Sequence, residues 1–356
     1  MSELGQFIIT GVCAETLSQE ERKFLEEENI GGVILFSHNY SSPAQLAELV
    51  NSIQQARQEL PLFIAVDHEG GRVQRFKSHF LHFPPMLEIS KLNSPKITFE
   101  VHRIMAEELI ACGVNVNFSP VCDVWTNPNN KVIGDRAFGD NPDEVSKHIT
   151  AAIRGLQTHG VIACAKHFPG HGSTSKDSHF DLPYVTKSLE ELLKLDLPPF
   201  IKAVKSRVEM VMMGHLVVDA LDKDNPCSLS KNAHQYLRNE LKFNRLIVSD
   251  DMEMKAIADN NSFEDAAIRA FVAGTDILIY RSMEKAKLGL EGLKRVKKDK
   301  IIKVDEITQK LNLVNTCKKT YLADYSPLYI PSITKEIGKK GNEKFLQDLL
   351  LRISNT

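Results

Sequence analysis

The strongest constraint on the fold is a repeated alternation between short apolar segments and longer amphipathic ones. The short segments are rich in β-branched residues and have the length of buried strands. They lie at residues 7–12, 32–36, 62–67, 114–119, 161–167, 210–215, 246–250 and 276–280. The amphipathic segments, with apolar residues three and four positions apart, lie at residues 18–28, 43–59, 96–112, 141–159, 189–206, 232–241, 262–273 and 283–297.

A strand–helix unit repeated about eight times predicts a parallel sheet, because each crossover between parallel strands needs a helix. The number of units and the length of 356 residues favour closure into a single (β/α)8 barrel of the TIM type, an α/β fold. A doubly wound open sheet is the alternative, since periodicity does not report closure. We expect the barrel to occupy residues 1–322 and a short helical C-terminal extension, residues 323–356, to pack on it.

Composition argues against several classes of partner. The formal net charge is -2 and the pI is about 6.6, so no global positive field attracts nucleic acid or anionic membranes. No apolar run is long enough to span a bilayer, and an acid, Glu3, stands where a signal peptide needs positive charge. The six cysteines form no CxxC pair, which predicts free thiols. We expect a cytoplasmic monomer.

Polar or ionisable residues stand at the carboxyl ends of several predicted strands. Because these ends meet at one rim of a barrel, residues far apart in the sequence should surround a single pocket. The strand starts carry glycines, such as Gly31 and Gly160, which is typical of the face that serves stability. The strand-end residues are Asp67, Ser119, Lys166, His167, His215, Asp250 and Asp251.

The segment after the fifth predicted strand, residues 166–179, reads KHFPGHGSTSKDSH and is unusually rich in titratable groups. Asp177 lies two residues before His179 within it. A carboxylate that accepts from one imidazole nitrogen orients the ring and raises its basicity, so the other nitrogen can exchange a proton near neutral pH. The alternative interpretation of this spacing is a solvated pair in a loop.

His167 and His171 have a spacing that also occurs in metal sites. Pro169 and Gly170 lie between them, so the two rings do not share one helical face as they do in HExxH. A metal would have to recruit ligands from separate loops. We expect no metal and no cofactor.

Asp250 and Asp251 end the seventh predicted strand and precede a helical pattern. They fit either helix capping or catalysis. Because neighbouring side chains leave a strand on opposite faces, one acid can be a buried nucleophile while the other caps. The residues alone do not say which acid has which role.

Two further loops carry acids and arginines that suit a polyhydroxylated ligand. Asp67 is followed by a glycine turn and then by Arg75, and Arg136 lies in the loop after the fourth strand. Carboxylates accept from sugar hydroxyls, while guanidinium and ammonium groups donate to them. A surface salt bridge is the simpler explanation of any single arginine.

An aspartate nucleophile and a separate proton donor at one rim are sufficient for glycoside hydrolysis with retention. The usual donor is a second carboxylic acid. Here the candidate donor is His179, which can protonate the leaving oxygen and later deprotonate water. The alternatives are a non-catalytic sugar-binding barrel and a metal-dependent hydrolase. The ligands of that hydrolase would be His167, His171, His179 and Asp250.

Three sequence motifs occur together in this chain. They are EGGRVQR at residues 69–75, KHFPGHG followed by DSH within residues 166–179, and SDDM at residues 249–252. The chain resembles, over about residues 5–280, the glycoside hydrolase family 3 β-N-acetylglucosaminidases of peptidoglycan recycling. The resemblance implies a TIM barrel that removes terminal N-acetylglucosamine from cell-wall fragments, including those that end in anhydro-N-acetylmuramic acid, with or without peptide.

The resemblance also assigns roles to individual residues. It implies that Asp250 is the nucleophile and that His179, oriented by Asp177, is the acid/base. The residues that it implies for sugar binding are Asp67, Arg75, Arg136, Lys166 and His167.

Overall fold

Eight parallel strands close into a barrel in the computed structural model, which describes residues 3–174 and 182–356. Each strand pairs with its neighbours in chain order, and the eighth pairs with the first. The predicted closed α/β barrel is therefore confirmed, and the open-sheet alternative is excluded. The strands are β1 (Ile8–Gly11), β2 (Gly32–Leu35), β3 (Phe63–Val66), β4 (Val116–Asn117), β5 (Ile162–Phe168), β6 (Met210–Met213), β7 (Leu246–Asp251) and β8 (Ile277–Tyr280).

The barrel strands are buried on both faces, which explains why they appear in the sequence as continuous apolar runs rather than alternating ones. Every residue of β1, β2, β3 and β8 is buried. Inward side chains fill the barrel, and outward side chains pack under the helices.

Helices surround the barrel. The first of them, α1, begins with a capping box in which the Ser18 hydroxyl accepts from the Glu21 N–H and the Glu21 carboxylate accepts from the Ser18 N–H. The helices up to the last strand are α1 (Gln19–Glu27), α2 (Pro43–Gln55), α3 (Met86–Ser90), α4 (Pro95–Ala111), α5 (Pro142–Gln157), α6 (Leu189–Leu195), α7 (Pro198–Lys205), α8 (Lys231–Gln235), α9 (Lys255–Ala258) and α10 (Phe263–Ala273). The later helices are α11 (Met283–Lys298), α12 (Val304–Leu322), α13 (Ile330–Glu336) and α14 (Lys340–Ser354).

Two predicted helices differ from the structure. The single helix expected at residues 189–206 is two helices, because Pro198 has no N–H to continue α6 and instead begins α7. The helix expected at residues 232–241 starts as α8 and ends in one π-helical turn, Tyr236–Glu240. Both differences lie outside the rim where the chemistry is expected.

The helix α12, which the sequence pattern did not single out, packs against the amino-terminal end of the barrel. Its Lys318 is fully buried, donates to Gln6 Oε1 at 2.8 Å, and lies 5.0 Å from the centre of the Phe63 ring. Burial lowers the pKa of Lys318 to about 7. After α12 the chain packs on α2 and α4 through α13.

The apolar interior is essentially one continuous cluster that joins the barrel to its helices. All six cysteines are free, as predicted. Among the described residues, no helix combines the length and the apolar character that a membrane span requires.

Candidate active site

A cavity with a volume of about 880 Å³ opens at the carboxyl ends of the strands. This size is in the range of sites for small ligands. Six residues that the sequence singled out at distant positions come together on its wall: Asp67, Arg75, Arg136, Lys166, His167 and Asp250. Of the other strand-end residues, Asp251 also lines the cavity, whereas Ser119 and His215 are buried behind it.

A chain of five alternating charges lies along the inner part of this cavity. The Lys166 ammonium is 2.8 Å from Asp67 Oδ1 and 2.7 Å from Glu69 Oε1. Arg75 extends the chain at one end through Asp67 Oδ2, at 3.2 Å. Arg136 extends it at the other end, because its Nε and Nη2 each lie 2.8 Å from a Glu69 oxygen. These donors and acceptors hold one another in place and form a fixed polar surface in the cavity.

Burial opposes the charge of Asp67, Glu69 and Lys166, but their charged partners outweigh it. Burial alone raises the pKa of Glu69, but Arg136 and Lys166 outweigh it and hold that pKa at about 2. Burial also opposes ionisation of Asp67, yet Lys166 and Arg75 bring its pKa well below the usual range. Burial lowers the pKa of Lys166, but the two carboxylates raise it above the ordinary value.

A tight turn after β3 brings Arg75 back over Asp67. Two short strands, His68–Gly70 and Val73–Gln74, form this hairpin. Gly70 has a φ of +94°, and a Cβ there would lie 2.8 Å from the Met86 side chain. This positive φ favours glycine, which explains its place in the motif.

A buried carboxylate that the sequence analysis missed orients His167. Asp123 is fully buried, and its Oδ2 accepts from His167 Nδ1 at 2.7 Å. The backbone N–H of His171 donates to Asp123 Oδ1, also at 2.7 Å. This contact fixes the orientation of the His167 ring and leaves its other nitrogen free of Asp123. Asp123 lies inside the apolar run of residues 121–124, and an acid in such a run was the signal for a buried partner.

Glu69 is the second residue that the sequence analysis passed over. It is 2% exposed and contacts both Arg136 and Lys166. Its neighbours in the sequence are a histidine and two glycines, which is a composition typical of an exposed turn. The sequence therefore gave no indication that Glu69 is buried.

Asp250 and Asp251 both line the cavity, so the expected division into one acid at the cavity and one helix cap is not observed. The pairing of β7 with β8 shifts register between Val248 and Asp251, which interrupts the regular alternation of side chains. Neither acid caps a long helix. Asp251 Oδ1 accepts from the Glu253 N–H at 2.9 Å in the turn before α9.

The two acids have different electrostatic surroundings. Burial raises the pKa of Asp250, but His215 and His167 outweigh it, so the pKa lies below the ordinary value and the group is ionised. Burial raises the pKa of Asp251 to about 6 although Arg281 lies 2.6 Å away. His215 Nε2 contacts the Asp251 carbonyl at 3.0 Å, which places this imidazole behind the pair.

Asp177 and His179 lie outside the described residues. The preceding segment is firmly anchored: Asn130 Nδ2 donates to the His171 carbonyl at 2.7 Å, and Asn127 Nδ2 donates to the Thr174 carbonyl at 3.0 Å. After the undescribed residues, Lys187 pairs with the buried Asp196 at 2.6 Å.

The geometry of the two histidines beside β5 bears on metal binding. The rings of His167 and His171 lie 6.1 Å apart and are nearly perpendicular. Within residues 3–174 and 182–356, no group of three or more His, Cys, Asp or Glu side chains is arranged to hold a metal ion.

A (β/α)8 barrel with an ionised aspartate and a chain of paired charges in a cavity at its carboxyl rim has the architecture of a TIM-barrel enzyme. Residues 2–317 match the N-terminal domain of glycosyl hydrolase family 3. The chain belongs to this family and is a glycoside hydrolase.

Similar proteins support this assignment. The beta-hexosaminidase of Nitrosomonas eutropha is 38% identical over 278 residues, which cover 76% of this chain and 79% of the relative. The structure of a fungal multi-domain GH3 beta-N-acetylglucosaminidase superposes with a TM-score of 0.92 and 31% identity, over 98% of this chain and 42% of that longer one. NagZ from Neisseria gonorrhoeae, in complex with N-trifluoroacetyl-D-glucosamine, has a TM-score of 0.79 and 30% identity over 96% of each chain.

Proposed function

We propose that this protein is an exo-acting, retaining β-N-acetylglucosaminidase. Its substrate would be peptidoglycan fragments in which N-acetylglucosamine is β-1,4-linked to anhydro-N-acetylmuramic acid, with or without peptide. The observation that carries the proposal is the ionised Asp250 in the same cavity as the five-charge chain. The relative named beta-hexosaminidase and the two similar structures agree with it. We place the reaction in the cytoplasm, in a monomer.

In the first step, Asp250 attacks the anomeric carbon and forms a glycosyl ester while the bond to the leaving oxygen breaks. A carboxylate must be ionised to attack, and the positive surroundings of Asp250 maintain that state. His179, oriented by Asp177, donates a proton to the leaving oxygen. In the second step, His179 takes a proton from water, which attacks the same carbon and releases the sugar with its original configuration.

The proposed sugar ligands divide by chemistry. Asp67 accepts from hydroxyl groups, and three cations donate to them. His167 contributes the ring nitrogen that does not contact Asp123. The ligands are Asp67, Arg75, Arg136, Lys166 and His167. These side chains come from β3 and the hairpin after it, from the loop after β4 and from β5. They therefore hold the sugar from several sides and favour one orientation.

The direct test is hydrolysis of the disaccharide N-acetylglucosaminyl-anhydro-N-acetylmuramic acid and of 4-nitrophenyl N-acetylglucosaminide, each with and without a chelator. We expect release of N-acetylglucosamine in both conditions. NMR spectra recorded before mutarotation should show the β-anomer. Loss of turnover on chelation would instead support a metal-dependent hydrolase. Binding without product would support a non-catalytic sugar-binding barrel.

A further inference from the structure

A buried carboxylate far from the proposed chemistry joins two parts of the chain that are distant in the sequence. Glu108 lies near the end of α4 and is 1% exposed. Its Oε1 accepts from the N–H of Gly338, at 2.9 Å, in the segment between α13 and α14. Its Oε2 accepts from the N–H of Leu81, at 3.0 Å, in the loop that follows Arg75. One side chain therefore links the C-terminal segment to that loop.

The loop, residues 76–83, is tied in turn to the residue before Arg75. Gln74 Nε2 donates to the carbonyls of Leu81, at 2.9 Å, and Phe76, at 3.2 Å. Gln74 Oε1 accepts from the Phe83 N–H at 3.3 Å. Since Gln74 immediately precedes Arg75, a displacement of the loop moves the backbone that carries this arginine.

The far end of the loop is attached to the glycine turn of the hairpin. The carbonyl of Phe83 accepts from the Gly71 N–H at 2.8 Å. Phe76 and Phe80 are buried and pack against the Tyr40 ring, with ring centres 4.9 and 5.6 Å away. The aromatic side chains of the loop thus fix it against Tyr40, and the loop directly follows Arg75, which pairs with Asp67.

The C-terminal segment has independent anchors on the neighbouring helices. Asn51 of α2 accepts from the Leu328 N–H at 2.8 Å and donates to the Leu328 carbonyl at 3.0 Å. Asn342 of α14 donates to Glu107 Oε2 of α4 at 3.2 Å. Glu107 contacts the C-terminal segment but makes none of the described bonds to the loop, so it is a matched neighbour of Glu108.

We propose that Glu108 is a positioning residue for sugar binding, through which the C-terminal segment at Gly338 holds the loop that places Arg75. The inference rests on the proposed role of Arg75 as a sugar ligand. It gives residues 323–356 a part in the active site although none of them lines the cavity. The coupling follows the continuous path Gly338, Glu108, Leu81, Gln74 and Arg75.

The test compares Glu108→Gln with Glu107→Gln in the full chain. Glutamine keeps the volume of Glu108 but offers only one acceptor oxygen for two N–H donors. We expect KM for 4-nitrophenyl N-acetylglucosaminide to rise about tenfold with kcat within about twofold, because misplaced Arg75 weakens binding. Hydrogen exchange of residues 76–83 should accelerate. Glu107→Gln should leave KM and this exchange unchanged.

A second comparison separates positioning from a purely structural role. In the Arg75→Gln background, Glu108→Gln should raise KM no further, since both changes act on one ligand. An unchanged KM in Glu108→Gln, an equal effect of Glu107→Gln, or an additive effect in the double variant would overturn the inference. If Glu108→Gln does not fold, Gly338→Ala strains the same contact from the other side, at a φ of +62°, and should give the same KM increase.

Failure of the proposed function can be told apart from failure of this inference. If the wild type turns over no glucosaminide, the proposed function fails. The positioning role is then decided by calorimetric binding of N-acetylglucosamine together with hydrogen exchange. Unchanged binding and unchanged exchange in Glu108→Gln would overturn it.

Discussion

Glu69 holds the Arg136 guanidinium through both carboxylate oxygens, each at 2.8 Å, in a pair that is 2% and 11% exposed. The same carboxylate also receives the Lys166 ammonium at 2.7 Å. Two cations from different parts of the barrel rim thus share one buried acid. Removing one partner of such a pair strongly destabilises the folded state, because the other charge remains buried without compensation.

Replacing Glu69 by Gln should therefore reduce both stability and sugar binding. We expect the free energy of unfolding in denaturant titrations to fall by about 3–5 kcal/mol, and KM to rise because Arg136 loses its bidentate support. Glu88→Gln is the matched control. Its partner Lys91 is exposed, and such pairs contribute about 1 kcal/mol or less. Equal losses in the two variants would contradict the role given to Glu69.

The barrel and six residues of its cavity were predictable because both depend on regular patterns. Buried strands are continuous apolar runs, and strand ends in a barrel converge, so Asp67, Lys166 and Asp250 could be placed together from spacing alone. The partners of Asp123 and Glu69 were not predictable, because pairing between distant loops leaves no local signal; only the burial of Asp123 was indicated, by the apolar run around it. His215 was expected at the rim but is buried, where it bonds to Ser228 and to the Asp251 carbonyl.

The different surroundings of Asp250 and Asp251 could not be read from the sequence pattern, and only the family resemblance distinguished the two acids there. The sequence shows two adjacent acids, and the regular alternation of a strand predicts opposite faces. The register shift in β7 brings both to the cavity instead. Burial and the neighbouring histidines and arginine then separate their pKa values. These long-range contacts determine the difference.

The proposed nucleophile can be tested against its neighbour. Asp250→Asn should lower kcat on 4-nitrophenyl N-acetylglucosaminide on the order of 10⁴-fold or more, as is typical when a nucleophile is removed. Asp251→Asn should cost far less, because its carboxylate binds Arg281 and a backbone N–H. A mechanism-based label that traps the glycosyl ester should map by mass spectrometry to Asp250. A larger loss in Asp251→Asn would transfer the role to that residue.

The acid role of His179 predicts a dependence on the leaving group. His179→Ala should slow hydrolysis of the disaccharide much more than that of a 2,4-dinitrophenyl glycoside, because a good leaving group needs little protonation. Asp177→Asn should show the same pattern with smaller losses, since the imidazole remains. Ser178→Ala, between them in the sequence, is the control. Equal losses on both substrates in His179→Ala would argue against proton donation.

The buried His102 predicts a loss of stability in mild acid. Its Nδ1 bonds to the Thr98 carbonyl at 2.8 Å, whereas its buried Nε2 has no hydrogen-bond partner in the described part of the chain. Burial, with a smaller effect of nearby His148, lowers the pKa of His102 from 6.5 to about 4. The folded state therefore disfavours the proton that the unfolded state binds. The stability from neutral His102 is complete above pH 6.5 and decreases as the pH falls towards 4.

The expected size of this effect is about 3 kcal/mol in the free energy of unfolding between pH 6.5 and pH 4, from a shift of about 2.5 pKa units. Denaturant titrations across this range should show a flatter pH dependence for His102→Gln, which cannot be protonated, than for the wild type. His159→Gln, at a half-buried surface position, should keep the wild-type slope. Because Phe138, in the loop after Arg136, packs against both His102 and His148, protonation should also loosen this loop. If the free energy of unfolding of His102→Gln fell with pH as steeply as that of the wild type, other groups would be responsible for the loss of stability in acid.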